Sequence, residues 1–153
     1  MKRLTATTIV LLVLAFSAGA QWRTSFHEAD ELKGTEEYTS SLYISETGDA
    51  FVCWSNEDGI KIVAGRGIFD YDDNYVLAII GFYEDGRMVD KVTTRLFVPD
   101  GSADAAYSSE YRSPGLGKKI KEHLRTRGDV RILASKYSGA DFDIRIPMNT
   151  DLQ

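Results

Sequence analysis

The chain has one cysteine, Cys53, three prolines and two histidines among 153 residues. A lone cysteine cannot close an intramolecular disulfide, so a disulfide-stapled miniprotein is excluded and stability must come from a core. Zinc-ligand spacing is missing, since there is no HExxH and no cysteine pair. The nucleophile elbow G-x-S-x-G is missing as well. Gly65-Arg66-Gly67 and Gly115-Leu116-Gly117 lack the further glycine and the strand-to-helix setting of a phosphate loop, so no cofactor is expected. There is no N-x-S/T sequon, no internal repeat and no low-complexity tract. No apolar run approaches the roughly 20 residues that span a bilayer.

What is present begins with a tripartite N-terminus. Lys2 and Arg3 form a positive region, 9–16 is apolar, and Ala18-Gly19-Ala20 is an A-x-A cleavage site. Residues 1–20 therefore read as a secretory signal, leaving 21–153 as one domain. Position 21 is Gln, not the Cys of a lipoprotein, so a soluble periplasmic or secreted protein is expected.

The formal charge is −5, and it becomes −7 when Lys2 and Arg3 leave with the signal. Its distribution is uneven. Residues 21–111 carry 7 basic and 18 acidic groups, whereas 112–153 carry 9 basic and 5 acidic. Net acidity, an exported chain and the lack of any RNA or DNA motif argue against nucleic acid as the partner.

Most of 38–147 alternates as strands between turns. The segments are 38–45, 50–55, 60–64, 75–83, 88–98, 129–137 and 141–147. Asp58-Gly59 and Asp85-Gly86 are hairpin signals. Ser113-Pro114 reads as an N-cap with proline at the first helical position, and Gly128 as a left-handed stop. Between them Leu116, Ile120, His123 and Leu124 recur at helical spacing, which predicts an amphipathic helix over 114–127. The expectation is a mainly β fold: an antiparallel β-sandwich or open barrel of about seven strands with one helix.

The basic excess centres on that helix. Lys118, Lys119, Lys121 and Arg125, with Arg112 before them and Tyr107 and Tyr111 in the polar loop 99–112, form the candidate contact surface. Tyrosine and arginine are favoured in binding patches, and clustered cations attract an anionic partner. The expected partner is an envelope or secreted protein with an acidic surface. The competing reading is a solvated helix face whose cations complement the helix dipole.

Other motifs carry less. Asp70-x-Asp72-x-Asn74 matches the first ligands of a calcium loop, but Tyr75 stands where the sixth-position glycine belongs and Gly81 where the bidentate glutamate belongs. An EF-hand is therefore rejected; an acidic turn is the expected reading, with a looser loop calcium site as the alternative. Cys53, between Val52 and Trp54, reads as a buried small hydrophobe. A thiol nucleophile would need a base, and His27 and His123 are the available ones. Arg127-Gly128-Asp129 spells an adhesion tripeptide, yet the helix stop and the strand entry explain it. No metal site is expected.

The layout resembles a group of exported bacterial β-sandwich proteins that includes accessory proteins of type VI secretion and invasion-associated proteins. The resemblance rests on Trp22, Asp30, Gly34, Cys53, Arg95, the short helix, Arg131-Ile132-Leu133 and Phe142-Asp143-Ile144, with Val52-Cys53 where the group carries Arg-Cys. It implies a non-enzymatic envelope or secreted module and no active site. Two other classes fit the sequence. One is a small hydrolase using carboxylates or Cys53. The other is an inhibitor of an extracellular enzyme such as a lysozyme, with loop 99–112 as the wedge.

Overall fold

The computed structural model describes residues 19–65, 75–99, 104–108, 113–134 and 142–153. Residues 1–18 of the expected signal (1–20), the Asp70-x-Asp72-x-Asn74 motif, Tyr111 and Arg112 lie outside them.

Among the described residues, nine strands and one helix follow in chain order: β1 Gln21–His27, β2 Tyr38–Ile44, β3 Ala50–Trp54, β4 Ile60–Val63, β5 Tyr75–Glu84, β6 Arg87–Phe97, β7 Ala105–Tyr107, α1 Leu116–Thr126, β8 Val130–Ala134 and β9 Phe142–Ile146. They form one antiparallel sheet in the order β1-β2-β3-β4-β7-β6-β5-β8-β9. The sheet curls into an open half-barrel. The expected mainly β character and single helix hold. The strand count rises from seven to nine.

Two strands escaped the pattern. β1 is mostly exposed and carries no apolar alternation, because it borders the sheet and buries little. β7 is three residues, Ala105 to Tyr107, inside the polar loop. It is held by its neighbours: Ala106 faces Ile62 of β4, and Tyr107 pairs with Phe97 of β6. Within 99–112, Ala105 and Ala106 are thus buried in the sheet.

The inward face follows from period-two alternation. Phe51 faces Ile62, Ala78 faces Ala134, and Ile132 faces Ile144. All six are almost fully buried. Helix α1 adds Leu116, Ile120 and Leu124 to the same core. Trp22 Nε1 donates to Pro147 O at 3.2 Å, which ties the first strand to the segment after the last. Its ring meets Tyr43 and Phe51.

The helix begins later than its sequence predicts. Gly115 is left-handed, with φ 74° and ψ 0°, and the Leu116 N–H donates to Ser113 O at 3.2 Å. Pro114 and Gly115 thus occupy the central positions that a type II turn favours for proline and glycine. Ser113 is not the N-cap: its hydroxyl bonds Thr94 instead. At the other end Gly128 is not left-handed. It is glycine because a Cβ there would lie 2.1 Å from Tyr83 O.

The two hairpin signals also diverge. Asp85 and Gly86 both have positive φ, 49° and 76°, and close a two-residue turn between Glu84 and Arg87. Asp58-Gly59 does not form such a turn. The ladder ends at Cys53–Ile60, leaving a longer connection.

Candidate functional site

The helix cations divide into two groups. Lys118 and Arg125 are exposed, seven residues apart on one stripe with Glu122 between them. Lys119 and Lys121 are tied into the fold. Lys119 forms an ion pair with Asp90 of β6, and its Nζ lies 4.9 Å from the centroid of the Phe82 ring. Its hydrogen bond holds the Asp90 carboxyl below the usual carboxylate range. Lys121 Nζ donates to Trp54 O at 2.6 Å and to Glu57 O at 2.8 Å. That side chain cross-links α1 to the β3–β4 connection, a role invisible in a run of basic residues.

Other cations of the C-terminal segment are paired too. Arg127 meets Glu84 at 3.6 Å, and Arg145 meets Asp129 at 3.1 Å. Arg131 holds both oxygens of Asp143, at 2.9 and 2.6 Å. These bonds lower the Asp143 pKa and raise that of Arg131. The charge split along the sequence is therefore partly closed in space.

Tyr107 is not part of the helix face. Ala106 points into the core beside Ile62, so Tyr107 points outward, where Lys61 Nζ lies 5.2 Å from its ring centroid. The structure thus separates Tyr107 from Lys118 and Arg125, which belong to the element packed on the inner face.

A groove of about 860 Å³ runs between α1 and the β5–β6 hairpin. Its charges include two pairs, Lys119 with Asp90 and Arg127 with Glu84. His123 lines it as well. This side chain is buried, with Nε2 and Tyr83 O 3.0 Å apart and the ring edge-on to Phe82. With its proton on Nε2, the imidazole donates to that carbonyl and fastens the helix to β5.

The potential nucleophile is elsewhere. Cys53 is 1% exposed in β3, and burial pushes its thiol up to about 11, against a smaller opposing pull from Lys121. A thiol in that state is protonated at neutral pH, the opposite of an activated nucleophile. His27 stacks on Tyr38 and bonds the Ser40 hydroxyl at 2.9 Å. Neither histidine is bonded to Cys53 in the structure, and both are engaged in cross-strand or helix-to-sheet contacts. Among the described residues no group of three or more His, Cys, Asp and Glu side chains is placed to hold a metal, and no helix is long and apolar enough to cross a membrane.

Sequence reasoning passed over the outward face of the sheet. Exposed Tyr75, Leu77, Ile79 and Phe97 lie there on β5 and β6. Arg95 joins them, its guanidinium carbon 4.5 Å from the centroid of the Tyr75 ring. Alternation in 60–64 marks which side chains of β4 point outward, but 75–83 is apolar nearly throughout and its sequence does not separate the two faces. Neither segment reveals that β4, β7, β6 and β5 are neighbours, since β7 is too short to read.

No protein-family model, no curated protein and no solved structure matches the chain.

Proposed function

We propose that the protein is a non-catalytic, exported binding module of the bacterial envelope that takes an anionic partner. One observation carries this reading. Although the chain is acidic overall, Arg23, Lys61 and Arg95 make no ion pair with any described carboxylate. Lys61 and Arg95 each also stand over a tyrosine ring, which Lys118 and Arg125 on the helix do not among the described residues, so we assign the binding surface to the sheet face and not to the helix. Cations left unpaired in an acid-rich chain are available to an external anion. The buried, protonated Cys53 supports a binding role over a thiol hydrolase.

The N-terminal pattern supports export. Fractionation of expressing bacteria tests it: the protein should appear in the envelope or medium with a mass that starts at Gln21. A full-length species confined to the cytoplasm would contradict export. Binding is tested by passing the purified protein over a sulfated polysaccharide support at low salt. Retention lost on Lys61→Glu with Arg95→Glu agrees with the reading, and no retention of the parent protein opposes it.

A further inference from the structure

We propose that the outward face of the sheet is a platform for an acidic polysaccharide, centred on Phe97 and flanked by Lys61 and Arg95. The register sets Lys61 opposite Tyr107, Tyr107 opposite Phe97, and Phe97 opposite Tyr75. Their inward neighbours Ile62, Ala106, Leu96 and Val76 are buried, so all four point outward. Three aromatic residues therefore lie on the same face of consecutive strands, whose backbones run about 4.8 Å apart. Phe97 is 40% exposed and Tyr75 36%. Lys61 covers Tyr107 and Arg95 covers Tyr75, while among the described residues no cation covers Phe97. The result is a bare ring between two cation-capped tyrosines.

Rings and cations laid out in this way select a ligand that offers apolar faces and negative charge together. Charge complementarity settles the occupant. Two copies of the chain set face to face here would bring Lys61 and Arg95 against their own counterparts, so self-association is opposed. An acidic peptide offers charge without a repeating flat face. A uronate chain offers both: the C–H face of a sugar ring packs on Phe97, its carboxylates reach Lys61 and Arg95, and its hydroxyls meet the tyrosine hydroxyls. The platform is an open surface rather than an enclosed cavity, which fits an extended polymer better than a small molecule. Preferring a glycan to single-stranded nucleic acid rests on the proposed export. The location of the platform does not.

The test is affinity electrophoresis of the purified full chain in native gels containing polygalacturonate, neutral dextran, polyglutamate or oligo-dT. Polygalacturonate should retard the protein at low salt and dextran should not. Phe97→Ala, and separately Lys61→Ala with Arg95→Ala, should weaken retardation at least tenfold with unchanged circular dichroism. Phe97→Tyr should keep it, because the ring remains, and Lys118→Ala with Arg125→Ala should leave it unchanged. Absence of retardation in polygalacturonate overturns the proposal. So does equal retardation by polyglutamate that survives Phe97→Ala, which would mean charge alone. Stronger retardation by oligo-dT overturns the glycan assignment. Fractionation, measured separately, decides whether export fails while the platform stands.

Discussion

Gly117 packs so closely on Asp58 that a Cβ at position 117 would lie 1.6 Å from the Asp58 carbonyl oxygen. The first turn of α1 thereby rests directly on the β3–β4 connection. The obstacle is backbone, which cannot rotate away like a side chain. Gly117→Ala should destabilise the protein by about 1–3 kcal/mol, the usual range for overpacking. Urea unfolding followed by circular dichroism measures this, and an unchanged midpoint would refute the contact.

Lys121 secures the same junction from the next turn of the helix. Its ammonium donates to two main-chain carbonyls, each a hydrogen bond from a charged donor. Lys121→Met keeps the apolar stem and removes both, so a loss of about 1.5–3 kcal/mol is expected. Lys118→Met, on the exposed stripe, should stay within about 0.5 kcal/mol of the parent. Comparing the two melts separates a structural lysine from a solvated one. Equal effects would contradict the division of the helix cations.

Cys53 should resist thiol reagents in the native protein at pH 8 and react fully after unfolding. Its folded pKa of about 11 lies above the ordinary thiol range near 9. The folded state therefore keeps a proton that the unfolded state has released. Stability from this group is intact below about pH 9 and declines as pH rises towards 11, by an amount on the order of 3 kcal/mol. Cys53→Ala should flatten that alkaline decline. Native labelling at the unfolded rate would show an open thiol instead.

Asp143 works in the opposite direction. The two hydrogen bonds from Arg131 lower its folded pKa, so the unfolded carboxyl takes up a proton first as pH falls. The stabilisation is present above the ordinary carboxylate range, near pH 4, and disappears as pH drops through the lowered folded value. Both side chains are more than two-fifths exposed, so its size should be about 0.2–1 kcal/mol. Asp143→Asn should remove this part of the acid limb in urea titrations at pH 2 to 6. A limb identical to the parent's would show that the pair adds nothing.

The strands that bury one face were readable, because alternation is written into them. β9 alternates Phe142, Ile144 and Ile146 with Asp143 and Arg145, and the structure buries the first set and exposes the second. Asp85-Gly86 was readable as a turn because its chemistry is local. β1 and β7 were not, since an exposed border strand and a three-residue strand leave no periodic trace. The helix start shifted from Pro114 to Leu116 because a Pro-Gly pair suits a type II turn as well as a helix entrance. The candidate site was the least legible part. A cluster of lysines in sequence gives no sign that Lys119 and Lys121 are already bonded, nor that Tyr107 faces away from them. The row Lys61, Tyr107, Phe97 and Tyr75 joins four strands from distant parts of the chain, and strand order is set by tertiary packing rather than by local pattern.

The most direct test of the binding account is an NMR titration of the isotope-labelled protein with a short oligogalacturonate. Shift changes should centre on Lys61, Tyr107, Phe97 and Tyr75 and leave Lys118 and Arg125 in place. Changes centred on α1, or none on the outward face at saturating ligand, would contradict it.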